Sequence, residues 1–169
     1  MDVRRQRSIV VIAHNLRSVH NVGSLLRTGE VFAADKVYVT GFTPYPAHPG
    51  DERDATLQAQ QTRRMAKAAA GAHETMPFER HPDVHALLGS LRGEGYAVAG
   101  LEIDPDAVAL DDYRPRAKVA LLLGDEVRGV DPLLRDNCDV LLQIPMFGRK
   151  DSLNVSVAAG IALYALRMA

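Results

Sequence analysis

The run from Val119 to Gly124 reads VALLLG, and Ile9 to Ala13 reads IVVIA. Both are strand-length, and neither alternates apolar with polar residues. A strand with one face in water alternates with a period of two, whereas a strand apolar at every position needs cover on both faces. Sheets of that kind are parallel, because each crossover between parallel strands lays a helix over one face. These two runs therefore constrain the chain most: strands must alternate with helices, and the helices must divide between two faces.

The remaining sequence supplies such elements. Asn21 is placed to cap a helix whose apolar face carries Val22, Leu25, Leu26, Gly29, Phe32 and Ala33. Lys36 to Gly41 reads as a second strand. FTPYPAHPGDERDAT follows, with Pro44, Pro46 and Pro49, a loop too rich in proline for regular structure and the candidate mobile segment. Helices are predicted over Leu57 to Ala70 and Asp83 to Arg92, and strands over Tyr96 to Ile103 and Val140 to Ile144. Asp131 caps a short helix with Pro132 in its first turn. The expected fold class is α/β, a mostly parallel sheet covered by helices on both faces, in a single domain over residues 1–169. No repeat or linker divides it.

The C-terminal stretch SLNVSVAAGIALYALRMA is apolar enough to suggest a membrane anchor. A spanning helix needs about 20 consecutive apolar residues. The run from Val155 to Leu166 is shorter and is interrupted by Ser156 and Gly160. It reads as a buried helix, with Ser152 as N-cap and Asn154 inside the first turn. The N-terminal MDVRRQRSIVVIAH has no small-residue cleavage site, so no signal peptide is expected and a cytoplasmic location follows. The single cysteine, Cys138, has no internal disulfide partner and reads as a small buried hydrophobe. Net charge is −1, which argues against a strongly basic nucleic-acid binder. Basic residues are nevertheless grouped at Arg4, Arg5 and Arg7, at Arg63, Arg64 and Lys67, and at Arg114, Arg116 and Lys118. Each group taken alone is a solvated surface that permits RNA binding without implying it.

Ligands of an open parallel sheet bind beyond the carboxyl ends of its strands. Three segments fall there: HNLRSVHNVGSLLRTGE, LGDEVRGVD and IPMFGRKDSLN. In the first, Arg27 points away from the apolar face, equally a solvated residue or a ligand group, and Gly23 on its flank would admit close approach. In the second, Asp125 and Glu126 place two carboxylates where the chain leaves the sheet, either in a polar loop or at a cleft. In the third, the Asn154 amide offers both donors and acceptors. There is no G-x-G-x-x-G, phosphate loop or nucleophile elbow. His81 and His85 are four apart and could share a helix face, but none of the six histidines has a zinc-site spacing, so no metal is expected.

Together the three segments resemble the three motifs of the SpoU (TrmH) family, within the SPOUT class of S-adenosylmethionine-dependent RNA methyltransferases. They are Asn21-Val-Gly23-Ser-Leu-Leu-Arg27-Thr28, then Leu123-Gly124-Asp125-Glu126-Val-Arg-Gly129, then Ile144-Pro145-Met146 with Ser152-Leu153-Asn154-Val155-Ser156-Val-Ala158. The likeness runs from Ile9 to the C-terminus, and the N-terminal auxiliary RNA-binding domain of longer members has no counterpart.

The resemblance implies a C-terminal deep trefoil knot, a homodimer with active sites drawn from both subunits, and methyl transfer to a ribose 2′-oxygen of tRNA or rRNA. It implies S-adenosyl-L-methionine held near Leu101, Gly124, Glu126, Ile144, Met146 and Leu153. Arg27 would be the catalytic residue, either gripping RNA phosphate and stabilising charge on the oxygen or acting as a phosphate-assisted base, with Asn21, Glu126, Ser152 and Asn154 orienting it, the ribose and the loops. Neither a membrane nor DNA is an expected partner. The alternative is a non-catalytic RNA-binding or assembly protein that keeps the fold, and cofactor binding separates the two.

Overall fold

The computed structural model describes residues 7–169; Arg4 and Arg5 of the first basic group lie outside them. The strands are β1 (Ser8–His14), β2 (Lys36–Thr40), β3 (Phe78–Arg80), β4 (Ala97–Leu101), β5 (Val108–Ala109), β6 (Lys118–Leu123) and β7 (Val140–Gln143). The helices are α1 (Val19–Val31), α2 (Ala55–Ala69), α3 (Ala72–Thr75), α4 (Val84–Gly93), α5 (Pro132–Asp136) and α6 (Val155–Met168). All seven strands form one sheet in the order β3-β2-β1-β6-β4-β7-β5, and every paired strand is parallel.

The two apolar runs lie side by side at its centre. Ile9, Val11 and Ala13 pair with Val119, Leu121 and Leu123, and Val10 and Ile12 pair with Ala120 and Leu122. The alternation of a strand sends these sets to opposite faces. The first set joins Leu25 and Leu26 of α1, Met65 of α2 and Ala162, Leu163 and Leu166 of α6 in one core. The second joins Leu87, Leu88 and Leu91 of α4 and Leu134 of α5 in another. Burying each such Leu or Ile contributes about 2 kcal/mol, and only a strand apolar at every position can feed both cores.

Local boundaries differ from the sequence reading where two capping residues compete. The cap of α1 is Ser18, whose hydroxyl accepts from the Asn21 N–H at 3.3 Å, so Asn21 sits inside the first turn. The cap of α6 is Asn154, which accepts from the Ser156 N–H at 2.9 Å, and Ser152 lies before the helix. Helix α1 ends at Val31, so Ala33 leaves the apolar face at φ 53° and Ala34 is buried instead. His81 precedes α4, whose cap is Asp83, so His81 and His85 share no helix face. Among the described residues no cluster could hold a metal ion and no helix is long and apolar enough to cross a membrane.

Gly23 is the close-approach position of the fold. A Cβ there would lie 2.6 Å from the Met65 carbonyl oxygen and 3.0 Å from Ala68 Cβ, so its space is taken by α2 and not by a ligand. The proline-rich loop is tied down by Arg53. Its guanidinium stacks 3.5 Å from the Tyr45 ring centroid, pairs with Asp51, and donates to the Tyr45 carbonyl at 3.1 Å. Cys138 is free and partly buried, and burial pushes its thiol up to about 11.

Candidate active site

Successive strands send their chains to different faces: β1 leads into α1 and β7 into α6 on one side, while β6 leads into α5 on the other. A crevice opens at carboxyl ends where connections diverge in this way. Here a cavity of about 290 Å³ lies beyond β4, β6 and β7. Leu101, Gly124, Glu126, Ile144, Met146 and Leu153 all line it, and so does Ser152. Its floor requires two glycines. A Cβ on Gly124 would fall into the Gly129 backbone, and Gly129 itself turns the loop at φ +71°.

Glu126 fastens this cavity to the start of α1. Its carboxylate accepts from the Arg17 N–H at 2.8 Å, the Ser18 N–H at 3.0 Å and the Asn21 side-chain amide at 2.9 Å. These donors cluster at a helix N-terminus, where orphan N–H groups and the helix dipole favour an anion. Asn21 gives its amide hydrogen to Glu126, so its oxygen is left to accept from Asn154 Nδ2, at 3.1 Å. The Asn154 oxygen in turn accepts from the N–H and hydroxyl of Ser156, the latter at 2.7 Å. One hydrogen-bonded chain thus joins all three candidate segments. A carboxylate at one end and a helix N–H at the other fix the orientation of both amides.

Asp125 holds the loop from below. It is buried, pairs with Arg17 Nε at 2.7 Å, and accepts from the N–H groups of Val127 and Arg128 at 2.8 and 2.9 Å. Burial alone would raise its pKa, but the Arg17 guanidinium and the two N–H groups outweigh it and hold the carboxyl down to about 2. Glu126 is lowered for the same reason, its N–H donors outweighing burial. A carboxylate depressed on folding stabilises the protein above its unfolded pKa, about 4, and that contribution is lost as pH falls through the folded value. Stability to urea should therefore hold from neutrality to about pH 4 and drop steeply toward pH 2. Asp125→Asn should lower the plateau and flatten the drop.

Two residues of the site were not singled out from sequence. Glu102 lines the cavity and accepts from the N–H groups of Val130 at 2.6 Å and Ile103 at 2.9 Å, fastening the end of β4 to the Gly129 turn. Its signal was a carboxylate directly after an apolar strand, as at Asp125. Arg17 carried no signal, since its partner lies 108 residues away. Arg27 is not in the cavity. It is exposed, in a second, shallow groove with Ser24, Thr28, Ala68, Ser156 and Ile161. Ser156 belongs both to that groove and to the hydrogen-bonded chain.

Residues 8–164 match the sequence profile of the SpoU rRNA Methylase family. The chain belongs to that family. A relative from Staphylococcus haemolyticus, named for the TrmH family of tRNA/rRNA methyltransferases, is 34% identical over 157 residues, 93% of this chain and 57% of the relative. The SpoU-family chain thus spans little more than half the length of the curated relatives it matches. The crystal structure of an AdoMet-bound rRNA methyltransferase from Sinorhizobium meliloti superposes with a TM-score of 0.77 at 23% identity, covering 99% of this chain and 60% of that one. An RNA 2′-O ribose methyltransferase superposes with a TM-score of 0.76 at 22% identity, covering 97% and 58%. At these identities the structures establish a shared fold. The basic groups of this SpoU-family chain separate on it. Arg63, Arg64 and Lys67 are exposed on α2, the helix that brings Ala68 to the Arg27 groove. Arg114, Arg116 and Lys118 lie at the amino end of β6, away from the cavity.

Proposed function

We propose that the chain is an S-adenosylmethionine-dependent RNA methyltransferase acting on a ribose 2′-hydroxyl of tRNA or rRNA. The observation that carries this reading is the Glu126–Asn21–Asn154 chain, which draws three sequence-distant family motifs to one cavity mouth. The cavity suits a cationic nucleoside. Leu101, Ile144, Met146 and Leu153 give it apolar walls, and three carboxylates line it against one cation, Arg128. When bound, S-adenosylmethionine supplies an electrophilic methyl group on a positively charged sulfur, for which a ribose O2′ losing its proton is the acceptor. The loops at Gly124 and Met146 hold the cofactor, while Ser152 and Asn154 position the ribose. Arg27 is protonated at any ordinary pH, so it serves as a phosphate clamp and a stabiliser of charge on the oxygen. Family membership and the fold shared with the RNA 2′-O ribose methyltransferase support ribose over base as the site.

The knot and the homodimer belong to the same proposal. Strand β7 pairs with both β4 and β5, which residues 102–107 join directly, so a later strand inserts between two earlier ones, as a knotted path requires. Helix α6 buries Ala159, Ala162, Leu163 and Leu166 yet exposes Val157, Ile161, Tyr164 and Met168 beside the Arg27 groove. A second copy covering that face would lie against the groove that holds Arg27. Ile161→Asp should give a monomer by sedimentation, with methyl transfer lost; a fully active monomer contradicts the dimeric site. The remaining assignments are a single methyltransferase domain over this chain and a cytoplasmic location. The test of the whole is a titration of the protein with S-adenosylmethionine followed by incubation with tRNA and rRNA. Cofactor binding with methyl transfer is expected. RNA binding without cofactor binding would instead identify a non-catalytic member.

A further inference from the structure

Phe147 leaves 97% of its surface in water, more than any other large hydrophobic side chain among the described residues. It stands on the loop from β7 to α6, between Met146 and Ser152, both of which line the cavity. It joins neither apolar core and makes no ring–ring contact. Nothing lies within 4 Å of where a Cβ on the neighbouring Gly148 would be, so no part of the chain packs on the loop there. Arg149 and Lys150 follow, both exposed, and among the described residues neither has a carboxylate within 4.0 Å. The one acid of the loop, Asp151, accepts from the Ser152 hydroxyl at 3.4 Å.

An apolar ring fully in water at the lip of a cavity is unfavourable until something covers it. The flanking charges select the occupant. A membrane or an apolar protein surface would have to desolvate Arg149 and Lys150, whereas RNA offers both a planar base for the ring and phosphates for the cations. The apolar face of α6 is a separate patch of several residues and suits a second copy better than one ring followed by two cations does.

We propose that Phe147 is a stacking platform for an unpaired nucleobase of the substrate RNA, at or beside the modified nucleotide, and that Arg149 and Lys150 take the adjoining phosphates. The inference rests on the RNA methyltransferase reading of the cavity. Stacking is indifferent to base identity, so this platform fixes the position of the strand, and sequence preference has to come from elsewhere.

The chain contains no tryptophan, so Phe147→Trp installs a sole indole fluorophore at the platform. Its emission should be quenched saturably by tRNA or an rRNA fragment. Phe147→Ala should raise that KM about tenfold, as expected for one lost stack, with cofactor affinity unchanged. Arg149→Gln with Lys150→Gln should reduce the slope of log affinity against log salt by about 1.4 for single-stranded RNA. Unchanged indole emission from the Phe147→Trp variant while RNA is bound and methylated would overturn the proposal, as would a wild-type KM for Phe147→Ala. Emission that shifts on self-association without RNA would overturn it too, assigning the loop to a subunit contact. Quenching without any methyl transfer would support the platform and refute the enzymatic reading, so the two failures are distinguishable.

Discussion

Arg27→Ala should abolish methyl transfer, with a loss of about 10³-fold or more in kcat, and leave cofactor affinity within about twofold. The asymmetry follows from position. Arg27 is exposed in the α6 groove and contributes nothing to the cavity wall, so its removal leaves the cavity proposed for the cofactor as it was. Among the described residues it has no ion-pair partner whose loss would unfold the chain. Thermal stability should therefore match the wild type. Isothermal titration with S-adenosylmethionine, set beside single-turnover methylation, reads both quantities. Wild-type turnover would refute the assignment of Arg27, and lost cofactor binding would place it in the cavity.

Glu126→Gln should differ from Arg27→Ala in lowering stability as well as activity. The carboxylate accepts from Ser18 and Asn21 through one oxygen and from Arg17 through the other. A glutamine keeps one acceptor and turns an NH₂ group toward N–H donors on the other side, whichever way it flips. Losing charge-assisted bonds at a helix N-terminus costs about 2 kcal/mol. The larger consequence is for activity, because Asn21 no longer has one fixed orientation and Asn154 loses its acceptor. Urea unfolding should show the stability loss, and kcat/KM should fall about 10²-fold. A stable variant with full activity would show that the amide chain is ornamental.

How much of this was legible in the sequence depended on whether each feature was local. The VALLLG and IVVIA runs predicted a sheet covered on both faces because their patterning is a local property that directly reports burial. Asp131 and Pro132 marked α5 correctly for the same reason. The edge strands β3 and β5 left no run to read, being three and two residues long. The caps of α1 and α6 were misplaced because Ser and Asn compete a few residues apart, and only the tertiary contacts of Asn21 and Asn154 settle which one caps. Six of the cavity-lining residues, Leu101, Gly124, Glu126, Ile144, Met146 and Leu153, were legible through the family resemblance. Gly23 was not, since its glycine answers to α2 and not to a ligand, and Arg17 and Glu102 act through partners far away in the chain.

The central claim is that the cavity and the amide chain serve transfer to a ribose oxygen. Incubation with methyl-labelled S-adenosylmethionine and total tRNA and rRNA, followed by alkaline hydrolysis, tests it directly. A 2′-O-methylated ribose cannot attack its neighbouring phosphodiester, so label should be recovered in alkali-resistant dinucleotides and, after full digestion, in 2′-O-methylnucleosides. Label in a base, or no transfer to any RNA by a protein shown to bind the cofactor, would contradict it.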